Sequence, residues 1–150
     1  MAKAILHRLK FDNDTTDRVC RLIRYHDDRP ELSERTVRRA MNRIGVENMP
    51  ALFAVKRADT LGQSLYHREE KLAYVDTYEH LFKEICAARQ CVQKKDLAIG
   101  GSDLIAMGMK PGREIGEVLN ELFERVLDNP ELNQRDKLLE LAHNLMTRLI

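Results

Sequence analysis

Residues 109–130 read MKPGREIGEVLNELFERVLDNP, and this stretch decides the fold. Ile115, Val118, Leu119, Leu122, Phe123, Val126 and Leu127 recur at steps of one, three and four. That is the apolar seam of a helix, wide enough to be buried on more than one side. Pro111 suits the first turn of this helix, where its missing amide costs nothing. Asp128-Asn129-Pro130 stops it. Just upstream, Gly100 and Gly101 precede Ser102, which is placed to cap a short helix ending near Gly108. Downstream, a last amphipathic helix runs from about Asn133 through Leu138, Leu139, Ala142, Leu145, Met146 and Leu149. Gly116, one turn into the long helix, costs about 1 kcal/mol relative to alanine. A neighbouring backbone packed closely against it would explain its presence.

The same texture extends towards the N-terminus. Ile5, Leu6 and Leu9 share a face, and Asp14 or Thr15 can cap a second helix carrying Val19, Leu22 and Ile23. Pro30 ends that helix, and Ser33 caps a third through Val37, Ala40, Met41 and Ile44, with Gly45 placed to close it. Met49 or Pro50 opens a fourth, carrying Leu52, Phe53, Val55 and Ala58. After Gly62 a long helical segment is expected from Ser64 to about Cys91. Its stripe is Leu65, Leu72, Val75, Tyr78, Leu81, Phe82 and Ile85. Aromatic residues are only 5% of the chain and Trp is absent, so helix formers outnumber strand formers. No strand pattern and no internal repeat is present. The expected fold is all-α: a helical bundle over residues 1–93, then a small helical subdomain over residues 94–150.

Composition excludes several classes. With 150 residues, 43% hydrophobic and 33% charged, and only 7 Gly and 4 Pro, the chain is neither disordered nor collagen-like. No apolar run reaches the length of a membrane span, and Met1 to Lys10 lack a signal-peptide core. Cys20, Cys86 and Cys91 are odd in number with no Cys-x-x-Cys pair, which points to a reducing compartment, the cytoplasm. Net charge is +1, from 25 basic and 24 acidic residues, but it is unevenly spread. Residues 1–44 carry 11 basic and 7 acidic groups, and residues 99–150 carry 6 and 9. In the first third Arg18, Arg21 and Arg24 step along one helix side, followed by Arg35, Arg38, Arg39 and Arg43. Interleaved acids dilute that field, and spacing alone reads as a solvated helix face.

Local chemistry is sparse. The start of the helix after Gly112 leaves amides free near Gly112 and Arg113, a place that attracts phosphate, and Lys110 and Arg113 add positive charge. From spacing alone the plainer reading, a helical hairpin with sound turn chemistry, is the favoured one. His26-Asp27 has no second histidine one turn away, and Asp59 has no partner in sequence, so no metal set is complete. No Gly-x-Ser-x-Gly, phosphate-loop or paired-Asp pattern occurs, and no base stands beside a cysteine. No catalytic residue is assigned to this chain.

Three groups of residues carry a resemblance. Residues 96–105, DLAIGGSDLI, are followed by Gly108-Met109-Lys110-Pro111-Gly112, Ile115-Gly116, Leu119 and residues 126–133, VLDNPELN. Together they resemble the C-terminal RNA-binding region of bacterial CCA-adding tRNA nucleotidyltransferases and their poly(A) polymerase relatives. Upstream, Ile5-Leu6, Leu9 to Asp12, Arg18-Val19, Leu22-Ile23, His26-Asp27 and Arg57-Ala58-Asp59 are similar to the back half of a histidine–aspartate (HD) phosphohydrolase domain. The resemblance implies an HD-like body in residues 1–93 and a tRNA-binding subdomain in residues 94–150. It also implies a C-terminal fragment, because the family's catalytic head and the front of the HD domain have no counterpart here. The parent would add C, C and A to tRNA 3′ ends using CTP, ATP and Mg2+, with no cofactor in this chain. This part would hold tRNA through Lys110, Gly112, Arg113 and Arg125. His26, Asp27 and Asp59 would be the remnant of an HD metal site. The alternatives are a metal-dependent phosphohydrolase fragment, or a structural helical module that self-associates through exposed apolar surface.

Overall fold

A computed structural model describes residues 1–149, with side chains through Thr147. Among the described residues there are eight α-helices and no strand. They are α1 (Ala2–Arg8), α2 (Asn13–Tyr25), α3 (Glu34–Ile44), α4 (Met49–Gly62), α5 (Arg68–Ala87), α6 (Gly101–Ala106), α7 (Arg113–Asp128) and α8 (Arg135–Leu149). The all-α expectation holds. The chain divides into two compact units, Met1–Cys86 and the remainder from Ala87 onward.

In the first unit, helix ends are set by side chains that replace missing backbone partners. The cap of α2 is Asp12, not Asp14 or Thr15: its carboxylate accepts the Thr15 amide at 2.7 Å and the Thr15 hydroxyl at 2.7 Å. Ser33 caps α3 as expected, and Thr36 answers it, Ser33 N donating to Thr36 Oγ1 at 3.1 Å. Gly45 closes α3 at φ 95°, a conformation that a side chain would strain. The core is Val37, Ala40, Met41 and Ile44 from α3, Met49, Leu52 and Phe53 from α4, and Val75, Tyr78 and Ile85 from α5. Phe53 meets Tyr78 edge-on at 5.2 Å and Phe82 at 5.6 Å. Three expectations fail here. Residues 64–67 are not helical, because His67 takes φ 53°, and Leu65 is 77% exposed instead of lying on the buried stripe. The helix ends at Ala87, short of Cys91. Helix α1 buries no residue, and Ile5, Leu9 and Ile23 are exposed.

The second unit is built on the seam of α7. Val118, Leu122, Phe123, Val126 and Leu127 are buried with Cys91, Ile99, Leu104, Leu138 and Ala142, and Ile115, Leu119 and Leu145 pack around them. Residues 88–93, taken from the sequence as part of the first unit, thus send Cys91 into the second unit's core. Ser102 lies inside α6 rather than at its cap. Gly100 holds the cap position, with its amide donating to Asp103 Oδ2 at 2.7 Å. Pro111 lies just outside α7, whose cap is Gly112. Gly116 has nothing within 4 Å of where a Cβ would stand, so no close backbone explains it. Close approaches occur instead at Gly101, where a Cβ would lie 3.3 Å from Ile115 Cγ2, and at Gly112, where it would lie 2.6 Å from the Glu114 carboxylate. Helix α8 begins at Arg135, not Asn133, because a short 3-10 turn, Pro130–Leu132, intervenes. The side chain of Leu149 lies outside the described residues.

Candidate nucleic-acid interface

The turn between α6 and α7 presents the expected basic residues. Helix α6 closes through Gly108 at φ 100°, its amide donating to Ile105 O at 2.9 Å and that of Met109 to Leu104 O at 3.0 Å. Lys110, Pro111 and Gly112 follow, all exposed, and Arg113 opens α7 with its side chain 90% exposed. Lys110, Gly112 and Arg113 therefore stand together at one helix start. Arg125 does not join them. It lies twelve residues on, roughly 18 Å along the axis at 1.5 Å per residue, and lines a groove with Leu141, His143, Asn144, Leu145 and Thr147. The basic groups are engaged by acids one turn away: Arg113 Nε lies 2.8 Å from Glu117 Oε1, and Arg125 Nε donates to Glu121 Oε1 at 2.9 Å. Such exposed i,i+4 pairs are worth about 0.3–0.5 kcal/mol, so a phosphate can displace the carboxylate at small cost. Glu114 also occupies the first turn of α7, where its charge already complements the helix dipole.

The residues that carry the sequence resemblance have a structural task. Asn133 Oδ1 accepts the Ala98 amide at 2.8 Å, and Asn133 Nδ2 donates to Asp96 O at 2.9 Å. Asp103 accepts from Gly100 N through one oxygen and from Arg135 Nη2 at 2.6 Å through the other. These bonds clip the approach to α6 onto the start of α8. Spacing alone could not pair Asp96 with Asn133, because nothing local links residues so far apart. The Gly100 amide first, and the Arg135 guanidinium second, hold the Asp103 carboxyl below its ordinary value of 3.8. A lowered native value means that the unfolded chain takes up protons first. The stabilisation is therefore full above pH 3.8 and is lost as pH falls through the native value. Asp103→Asn should flatten the acid limb of the stability profile, as read by thermal melts between about pH 6 and pH 2. A variant whose acid limb overlays the parent's would show that Asp103 makes no such contribution.

His26, Asp27 and Asp59 do line one cleft of the first unit, beside Arg29, Lys56 and Tyr74. Tyr74 shapes it by donating to Pro30 O at 2.7 Å. His26 Nδ1 lies 2.7 Å from Ile23 O, and Asp59 accepts from Gln63 Nε2 at 2.7 Å. The nearly buried Lys56 ammonium donates to His26 O at 2.7 Å and to Asp28 O at 2.5 Å. Burial lowers the Lys56 pKa, opposed chiefly by Asp28. While protonated, Lys56 repels a second cation here. Among the described residues no three His, Cys, Asp or Glu groups come together as a metal-binding set.

The arginines of the first third are used unequally. Arg38 is buried and bonds Glu34 at 3.1 Å. Arg21 Nη1 donates to Ile44 O at 3.0 Å, and Arg43 lies 3.3 Å from Asp28 and 5.2 Å from the Tyr25 ring centre.

Comparison with known proteins places these features. The family described as "tRNA nucleotidyltransferase domain 2 putative" matches residues 1–142. A CCA-adding enzyme of Lacticaseibacillus paracasei is 37% identical over 73 residues, which are 49% of this chain and 18% of that enzyme's length. No solved structure matches the chain. Among the described residues no helix is long and apolar enough to cross a membrane. An all-α chain with this match along almost its whole length belongs to the tRNA nucleotidyltransferase domain 2 family.

Proposed function

We propose that this chain is a tRNA-holding part of a CCA-adding tRNA nucleotidyltransferase. Nucleotidyl transfer from CTP and ATP, with Mg2+, would belong to a catalytic head outside these 150 residues. The observation that carries the reading is the family match over residues 1–142, within which Lys110 and Arg113 stand exposed at a glycine-flanked helix start. Lysine and arginine beside free amides suit a phosphate of the tRNA backbone, fixing its position without reading sequence. Arg125 would make a separate contact further along α7. Because acids outnumber basic groups over residues 99–150, the grip there is made by placed residues rather than by a broad positive surface. Helix α7 thus joins packing to function: its apolar seam fixes the second unit's core, and its start presents Arg113 beside Lys110 of the preceding turn.

Charge reversal tests it. Lys110→Glu with Arg113→Glu should weaken tRNA binding by the 150-residue chain at low salt. It should also lower the slope of log affinity against log salt by roughly two, because about two phosphate contacts disappear. Fluorescence anisotropy with a labelled tRNA transcript reads both quantities. Unchanged affinity and slope would remove Lys110 and Arg113 from the interface.

A further inference from the structure

We propose that the groove where α1, α2 and α3 meet is a second RNA-binding site, taking the phosphodiester backbone. The inference rests on the RNA-handling reading above but concerns residues of the first unit. Lys3 from α1, Arg21 and Arg24 from α2 and Arg43 from α3 line one cavity of about 480 Å³. Asp17 is the one acid among its lining residues, and it stands 3.8 Å from Lys3. Sequence spacing places Arg21 and Arg24 on one side of α2. Only the packing of three helices brings Lys3 and Arg43 to the same side.

Two of the four cations are held in place rather than trailing in solvent. Arg21 donates to Ile44 O, the last carbonyl of α3, and Arg43 lies over the Tyr25 ring while reaching Asp28. Lys3 and Arg43 still expose 65% and 52% of their side chains, so both remain open to a ligand. Four like charges facing one concavity repel each other, and an anion laid among them relieves that repulsion. Guanidinium groups fit phosphate oxygens two at a time, and Tyr25 offers a ring beside them. The lining holds no large aliphatic side chain, so an inserting amphipathic helix or a lipid tail finds little beyond the Tyr25 ring to bury against.

Lys3→Glu with Arg24→Glu tests the site, since neither side chain anchors a helix end. In the 150-residue chain, binding of a labelled tRNA transcript should weaken at least roughly tenfold at low salt, with the salt slope reduced by about two. Circular dichroism should show the helices retained. A second reading uses the unaltered chain. Cys20 lines the groove, half-buried, whereas Cys86 is exposed elsewhere. Saturating tRNA should slow alkylation of Cys20 by N-ethylmaleimide several-fold more than that of Cys86. Wild-type affinity and slope in the double variant, or equal protection of the two cysteines, would overturn the proposal. So would an unaltered chain that binds no tRNA, or poly-glutamate competing as well as RNA of the same charge. Loss of binding in this variant alone, with Lys110→Glu and Arg113→Glu inert, would support the groove while refuting the α7 contact.

Discussion

Phe53→Ala is expected to lower the stability of the protein by about 3–5 kcal/mol, the usual loss for a fully buried aromatic ring. Phe53 is 1% exposed and stands edge-on to both Tyr78 and Phe82. The substitution removes its apolar burial and two ring contacts, each worth roughly 0.5–1.5 kcal/mol beyond area. Collapse around the void is limited, because the two rings that line it are both fixed on α5. Since small proteins are stable by only about 5–15 kcal/mol, the variant should be partly unfolded at physiological temperature. Urea denaturation followed by circular dichroism measures the loss, and Phe53→Leu should recover most of it. A loss under about 1 kcal/mol would mean that this ring cluster is not the centre of the first unit.

Leu122→Ala should have a comparable effect in the second unit, about 2–5 kcal/mol. Leu122 is wholly buried on the α7 seam, among Leu104, Val126 and Leu138. Its loss matters beyond the void itself. Helix α6 has only 6 residues and is far too short to persist on its own propensity, so it depends on burying Leu104 in this core. Loosening the core should free the turn that carries Lys110 and Arg113. Hydrogen exchange should therefore quicken first in residues 101–113, at denaturant concentrations where α7 is still protected. Uniform quickening of the whole unit would show instead that α6 and α7 open together.

Much of the fold was readable from the sequence because its main signals are local. Ser33 and Gly45 bracket α3 by cap chemistry, and the seam of α7 repeats often enough to leave no other period. Boundaries were less readable for a physical reason. A stripe such as Leu65 to Ile85 shows that a helix can bury a face, but not where backbone geometry will interrupt it, as His67 does. Caps were displaced in the same way. Asp12 and the Gly100–Asp103 pair took tasks that Asp14 and Ser102 could equally have filled by composition. Lys110, Gly112 and Arg113 were legible as a group because they lie within one four-residue turn, whereas Arg125 was grouped with them only by charge. The basic excess of residues 1–44 was legible, but the groove formed by Lys3, Arg21, Arg24 and Arg43 was not, since three separate helices supply it.

The Lys56 ammonium, bonded to the carbonyls of His26 and Asp28, amounts to a counter-ion tied to the chain by a covalent leash. Its effective concentration at that turn is set by the fold and not by the medium. While Lys56 is protonated, the bend after α2 therefore carries a cation that the chain itself supplies.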